Sequence, residues 1–121
     1  MNEGDDAVDR AHLERLGARF GAPFLVQMID LFLAQGRERI EAARLALDAG
    51  DAEGITSAAH ALKSSAGNLG ATSLMACAAE AERVGRGDAS TKELAPHVDT
   101  LAKELERART ILLELRRGLP A

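Results

Sequence analysis

The stretch LAPHVDTLAKELERARTILLEL runs from Leu94 to Leu115 and sets its apolar residues at Leu94, Val98, Leu101, Leu105, Ala108, Leu112 and Leu115. The steps between them alternate between four and three residues, which is the seam of a helix packed in a bundle. Ser90 and Glu93 stand just before it at the spacing of a capping box, so a helix should begin there. Pro96 lies inside the pattern and predicts a kink or a restart.

Upstream, the same reading gives four more helices. Asp6 to Ala18 reads as a short helix with Ala11, Leu13 and Leu16 apolar, and Phe20 beyond it. Gly21-Ala22-Pro23 interrupts it, and Pro23 suits the first turn of the next helix. That second helix runs to about Ala49, with Leu25, Met28, Ile29, Phe32, Ile40, Ala43 and Leu47 on one side and Gly36 tolerated within. Gly50 ends it and Asp51 caps a third helix from Ala52 to Leu69, closed by Gly70. Thr72 should cap a fourth, with Leu74, Cys77, Ala78, Ala81 and Val84 apolar, ending near Gly85 and Gly87. Short connections between long helices favour antiparallel neighbours. The expected fold is all-α: an antiparallel up-down four-helix bundle, its core at about 23–117, with a short additional N-terminal helix, in a single domain over 1–121.

Composition agrees. The chain has 121 residues, of which 2% are aromatic: three Phe, no Tyr and no Trp. Alanine and leucine carry the apolar content, which suits helices and disfavours sandwiches and barrels. The net charge of −4, with no Lys/Arg cluster, argues against nucleic acid as a partner. The longest apolar run, Phe24 to Leu33, is broken by Gln27 and Asp30 and is far short of the roughly 20 residues of a membrane span. The acidic start, Met-Asn-Glu-Gly-Asp-Asp, is no secretory signal, and one cysteine, Cys77, allows no internal disulfide. The expected location is a reducing cytoplasm.

The third helix carries the chemistry. Each residue advances about 100° around a helix. Ile55, Ala58, Leu62, Ser65 and Leu69 form the core stripe, and His60 faces away from it into solvent. Thr56, Ser57, Lys63, Ser64 and Gly67 lie within about 60° of His60. All but Lys63 are small, so the imidazole should stand clear for a second protein to approach. An unperturbed imidazole is mostly neutral at pH 7 and nucleophilic. It can accept a phosphoryl group, and Lys63 can offset the charge on the phosphoryl oxygens. A hydrolase is disfavoured, because no carboxylate is evident to orient the ring and no Ser or Cys nucleophile is paired with it.

The string His60-Ala-Leu-Lys63-Ser64-Ser65-Ala66-Gly67-Asn68-Leu69-Gly70-Ala71 resembles the signature of histidine-containing phosphotransfer (HPt) domains, and the resemblance in helix order extends from about Pro23 to Leu115. It implies that His60 is the phospho-acceptor and Lys63 the phosphate-stabilising lysine. Where members of that family usually have glycine after the lysine, this chain has Ser64, whose hydroxyl could bond back to the carbonyl of His60. The family often places a polar residue of the fourth helix near the ring, and Glu82 and Arg86 are candidates there, alongside a plain solvated ion pair.

Phe24, Leu25, Val26, Met28, Ile29, Leu31, Phe32 and Leu33 exceed a single stripe on the second helix. Either the first helix covers the surplus, or a patch around Phe24, Met28 and Leu31 docks a partner. The resemblance implies docking of receiver domains against this helix and the face of Thr56, Ser64 and Gly67. His12, His97 and Cys77 do not assemble into a metal set with His60, Cys77 reads as a small buried core residue, and no phosphate-binding loop for ATP is present.

The expected function is a histidine phosphotransfer protein of a multistep phosphorelay. His60 takes a phosphoryl group from a receiver-domain aspartate, on a response regulator or a hybrid histidine kinase, and passes it to another response regulator. It would need no cofactor of its own, the divalent metal lying on the receiver, and no kinase activity of its own. A monomer is expected, and the start at Met1 without a kinase segment favours a free-standing chain. The rivals are a helical module that docks receivers without carrying phosphate, and a phospho-accepting domain charged in trans by a chemotaxis-type kinase.

Overall fold

A computed structural model describes residues 7–120. Five helices follow in chain order: α1 (Arg10–Phe20), α2 (Ala22–Asp48), α3 (Ala52–Leu69), α4 (Thr72–Gly85) and α5 (Thr91–Arg117), with no strand among the described residues. In the bundle α3 packs against α2 and α4, and α5 packs against α4 and α2 on the other side, while α1 lies along α2. The core has two clusters of apolar side chains, a larger one with Ile29, Leu62, Leu69, Leu74, Leu101 and Leu112 fully buried, and a smaller one of Ala43, Ala46, Ile55, Ala58, Leu94 and Val98. Asp30 on α2 and Arg116 on α5 staple the outer edge with bonds of 2.8 and 2.9 Å.

The bounds of α3 are as the sequence predicts. Asp51 accepts from the Gly54 amide at 3.0 Å, and Gly70 closes the helix at φ +76°, the left-handed conformation that glycine adopts without a Cβ penalty. The capping box of Ser90 and Glu93 is also formed. Other elements differ from expectation. The first helix begins at Arg10, not Asp6, which lies outside the described residues, and it continues to Phe20. Asp9 is its cap, accepting from the His12 amide, and Ala7 and Val8 before it are plugged into the core. Thr72 does not cap α4; Ala71 holds that position without a side-chain bond, and Thr72 is the first helical residue. Pro96 does not restart α5, which runs through it as one helix. The proline sits six residues into the helix, where the only hydrogen bond it forfeits is to the carbonyl of Lys92, and the capping box holds the turns before it.

The stripe on α3 is rotated slightly from the predicted one. Ala59 and Ala66 are buried, whereas Ser65 is half-buried beside α2. Cys77 sits at the edge of the core instead of inside it, and partial burial pushes its thiol pKa up. Gly36 is accommodated in α2 because Leu105 of α5 crosses it closely: a Cβ there would come within 2.8 Å of that leucine's Cδ1.

Candidate functional site

Helices α3 and α4 run antiparallel from the turn at Gly70 and Ala71, and counting outward from that turn sets their cross-seam partners. Gly67 and Met75 lie four residues either side of Ala71; His60 and Glu82 lie eleven either side. Small residues draw the two helices together. A Cβ on Gly67 would stand 3.2 Å from the Met75 sulfur, and one on Gly85 would collide with Oγ1 of Thr56. Thr56 and Gly67 are half-buried along this seam. Their small size thus serves helix packing, beside the clear space around the ring that the sequence suggests.

His60 projects from the outside of α3 with 55% of its side chain exposed. Its Nδ1 is 2.8 Å from Oε2 of Glu82, whose side chain is only 6% exposed. The expectation that no carboxylate orients the ring is therefore overturned. Nor is Glu82 merely one half of a solvated pair with Arg86. It is buried at the seam and shared among three partners: Lys63 Nζ donates to Oε1 at 2.6 Å, and Arg86 Nε donates to Oε2 at 3.0 Å. The Lys63 bond, then the Arg86 bond, outweigh desolvation and pull the Glu82 pKa down from 4.5 to about 2, with His60 adding to the effect.

The tautomer follows from these partners. An ionised carboxylate only accepts, so Nδ1 carries the proton and donates it to Glu82. In the neutral ring that leaves the lone pair on Nε2, which has no partner among the described residues. Ser64, one turn on, is exposed, and its hydroxyl makes no bond back to the His60 carbonyl. Beside the ring opens a groove of about 560 Å³ bordered by Glu53, Thr56, Ser57, Arg86 and Gly87. A larger one, about 660 Å³, lies between α2 and α5, away from His60; its rim mixes Arg37, Arg44 and Arg109 with Glu38, Glu41 and Glu106 and offers no nucleophile.

The chain matches the family model of the Hpt domain over residues 27–111. It belongs to the Hpt domain family. As an Hpt domain it is a histidine phosphotransfer protein of the phosphorelay type; Hpt domains in general are phosphotransfer carriers and not kinases, and they work with receiver domains of response regulators and hybrid kinases. The fold is that of histidine-containing phosphotransfer protein B (HptB) from Pseudomonas aeruginosa PAO1, with a TM-score of 0.86 at 22% identity over 96% of this chain and 99% of that one. The HPT domain of an Hpt sensor hybrid histidine kinase from Shewanella is similar too, with a TM-score of 0.73 at 20% identity over 88% and 91% of the two chains. No curated protein sequence matches the chain.

The remaining predicted residues fall in two places. On α2, α1 covers only part of the apolar surplus: Leu25 and Ile29 are buried, Met28 is half-buried, and Phe24 and Leu31 stay 41% and 58% exposed. Met28, Leu31 and Gln35 share a shallow groove with Ser65, Asn68 and Leu69, so this patch sits toward the C-terminal end of α3, about 8–13 Å along the helix from His60. His12 serves the fold, its Nε2 bonding the Asn68 carbonyl at 2.9 Å, and no group of three or more potential metal ligands converges among the described residues. Nor is any helix among them long and apolar enough to cross a membrane.

The depressed Glu82 pKa has a pH consequence. A carboxylate with a folded pKa below its unfolded value adds stability above the unfolded pKa and loses it as pH falls through the folded one. The window is from 4.5 down to about 2. In thermal melts, the stability difference between wild type and Glu82→Gln should shift against the wild type as pH drops through that window. A difference that does not change with acid would show that Glu82 is not the carboxylate these cations hold.

Proposed function

We propose that this chain carries a phosphoryl group on Nε2 of His60 between receiver-domain aspartates. The observation that supports this most directly is the pairing of an exposed, unpartnered Nε2 with an Nδ1 held by a buried carboxylate. Such a ring is fixed in orientation and in tautomer, with its nucleophilic atom outward. Inward transfer forms the P–N bond as the P–O bond to the receiver aspartate breaks, the aspartate leaving as carboxylate. Lys63 and Arg86 outnumber the one carboxylate they share, so positive charge is left over for the phosphoryl oxygens. The divalent metal of the reaction belongs to the receiver, and this chain contributes no ATP-dependent kinase step.

The receiver docks over Ser64, with the apolar side chains of Phe24, Met28 and Leu31 as an outlying contact and Met75 beside Gly67. Thr56 and Gly67 act there by letting α4 bring Glu82 under the ring. The working species is a cytoplasmic monomer. The test is to incubate the chain with a charged receiver and locate the label by mass spectrometry; a modified residue other than His60 would overturn the reading.

Lys63→Ala separates the cation's role from the fold. The side chain is 37% exposed, and when it is removed Arg86 and His60 still bond Oε2 of Glu82, while Oε1 loses its Lys63 partner. The chain should still fold, with a lowered melting temperature from the unpaired Oε1 of Glu82, while transfer from the receiver should slow roughly five- to tenfold, about 1–1.4 kcal/mol of lost charge stabilisation. An unchanged rate would take Lys63 out of the mechanism.

A further inference from the structure

The bond between His60 and Glu82 constrains what the ring does after it is phosphorylated. A carboxylate held ionised down to about pH 2 remains an acceptor for Nδ1 throughout the neutral range. It is buried, and its other oxygen is occupied by Lys63, so it has little freedom to turn away. We propose that Glu82 keeps the Nδ1 proton on His60 through the whole transfer cycle, so that phosphoryl groups enter and leave Nε2 without any proton moving. This rests on the reading of His60 as acceptor and adds a role in the phosphorylated state.

The steps balance without a base. On entry the Nε2 lone pair forms the P–N bond and the donor aspartate departs with the electron pair of the broken P–O bond. The ring keeps its Nδ1–H and becomes a phosphoimidazolium cation facing Glu82. On exit an acceptor carboxylate oxygen forms the new P–O bond, the P–N electron pair returns to Nε2, and the group that leaves is neutral imidazole. Had Nδ1 lost its proton, the leaving group would be imidazolate, a far stronger base and a far poorer leaving group. The charged groups facing the ring come from α3 and α4: Lys63 and Glu53 on the first, Glu82 and Arg86 on the second. The two cations oppose a positive ring, but both are themselves tied to Glu82, which alone bonds the N–H directly. An opposite charge at hydrogen-bond distance favours the charged form of the ring.

The experiment uses the full chain with 15N-labelled histidine, phosphorylated by potassium phosphoramidate, a donor that needs no partner. NMR reads which ring nitrogen bears phosphorus and whether Nδ1 keeps its proton as pH rises from about 6 to 9, natively and in urea. Phosphorus is expected on Nε2 of His60, with the Nδ1 proton retained about one pH unit or more beyond the urea-unfolded reference. In Glu82→Gln the amide oxygen can keep the hydrogen bond but not the charge, so proton loss should move back toward the reference. The ratio of wild-type to variant rates for outward transfer to one receiver should then grow about tenfold per pH unit across that gap. Native and unfolded rings that titrate together, or a variant with the wild-type profile, would overturn the proposal. Absence of phosphorus from His60, or its attachment to Nδ1, overturns the acceptor reading instead. If the variant does not fold, the native-against-unfolded comparison decides alone.

Discussion

A charged receiver domain is expected to label the wild-type chain in an acid-labile, alkali-resistant form and to leave His60→Gln with no label at all. The loss should be complete, because the glutamine amide has no nucleophilic ring nitrogen, and neither His12 nor His97 stands in a comparable setting. His12 spends its Nε2 on the Asn68 carbonyl at the far end of α3. The fold should survive. His60 is exposed, glutamine is a good helix former, and its amide can still donate to Glu82, which also keeps Lys63 and Arg86. Circular dichroism with the labelling assay reads both halves. Label persisting on a folded His60→Gln chain would end the assignment.

Bulk at position 64 should be nearly as damaging to transfer and harmless to the fold. Ser64 is exposed, makes no hydrogen bond, and follows His60 by one turn. A helical side chain leans back over the preceding turn, so whatever stands at 64 leans toward the ring. Ser64→Gln puts a long side chain there with better helix propensity than serine, and stability should hold or rise slightly. Receiver-driven labelling should drop roughly thirtyfold or more, the scale of an obstructed contact at the centre of an interface, about 2 kcal/mol. Ser64→Gly should lose about half a kcal/mol or less of stability and transfer at least as fast. A Gln variant that transfers like the parent would mean that the receiver does not approach over this face.

Much of the molecule is legible from helical periodicity, and the gaps in that reading have a common origin. The seam from Leu94 to Leu115, the caps at Asp51 and Ser90, and the closing glycine at 70 are local signals, each satisfied within a few residues of chain. The outward orientation of His60 is equally local, because it follows from the apolar stripe of its own helix. The wheel puts Ser65 in the core stripe and leaves out the buried Ala59 and Ala66, because a wheel on one helix gives the centre of a stripe but not its width, which the flanking helices decide. The restart expected at Pro96 does not occur, because the penalty of a proline depends on how many turns precede it and how well they are anchored.

Glu82 shows where single-helix reasoning ends. On its own helix it is a polar residue four positions before an arginine, and a solvated pair is a fair reading. Its distinguishing property is that it lies as far after the Gly70–Ala71 turn as His60 lies before it. Five helices, an exposed histidine beside a lysine, and the family to which both point follow from local sequence pattern alone. Only the packing of α4 against α3, drawn close by Gly67 and Gly85, decided that a carboxylate sits under Nδ1 of that histidine. Helix type and facing arise from chain-local backbone bonding and apolar spacing, whereas a buried charge becomes stable only when a second helix brings its partners within hydrogen-bond reach.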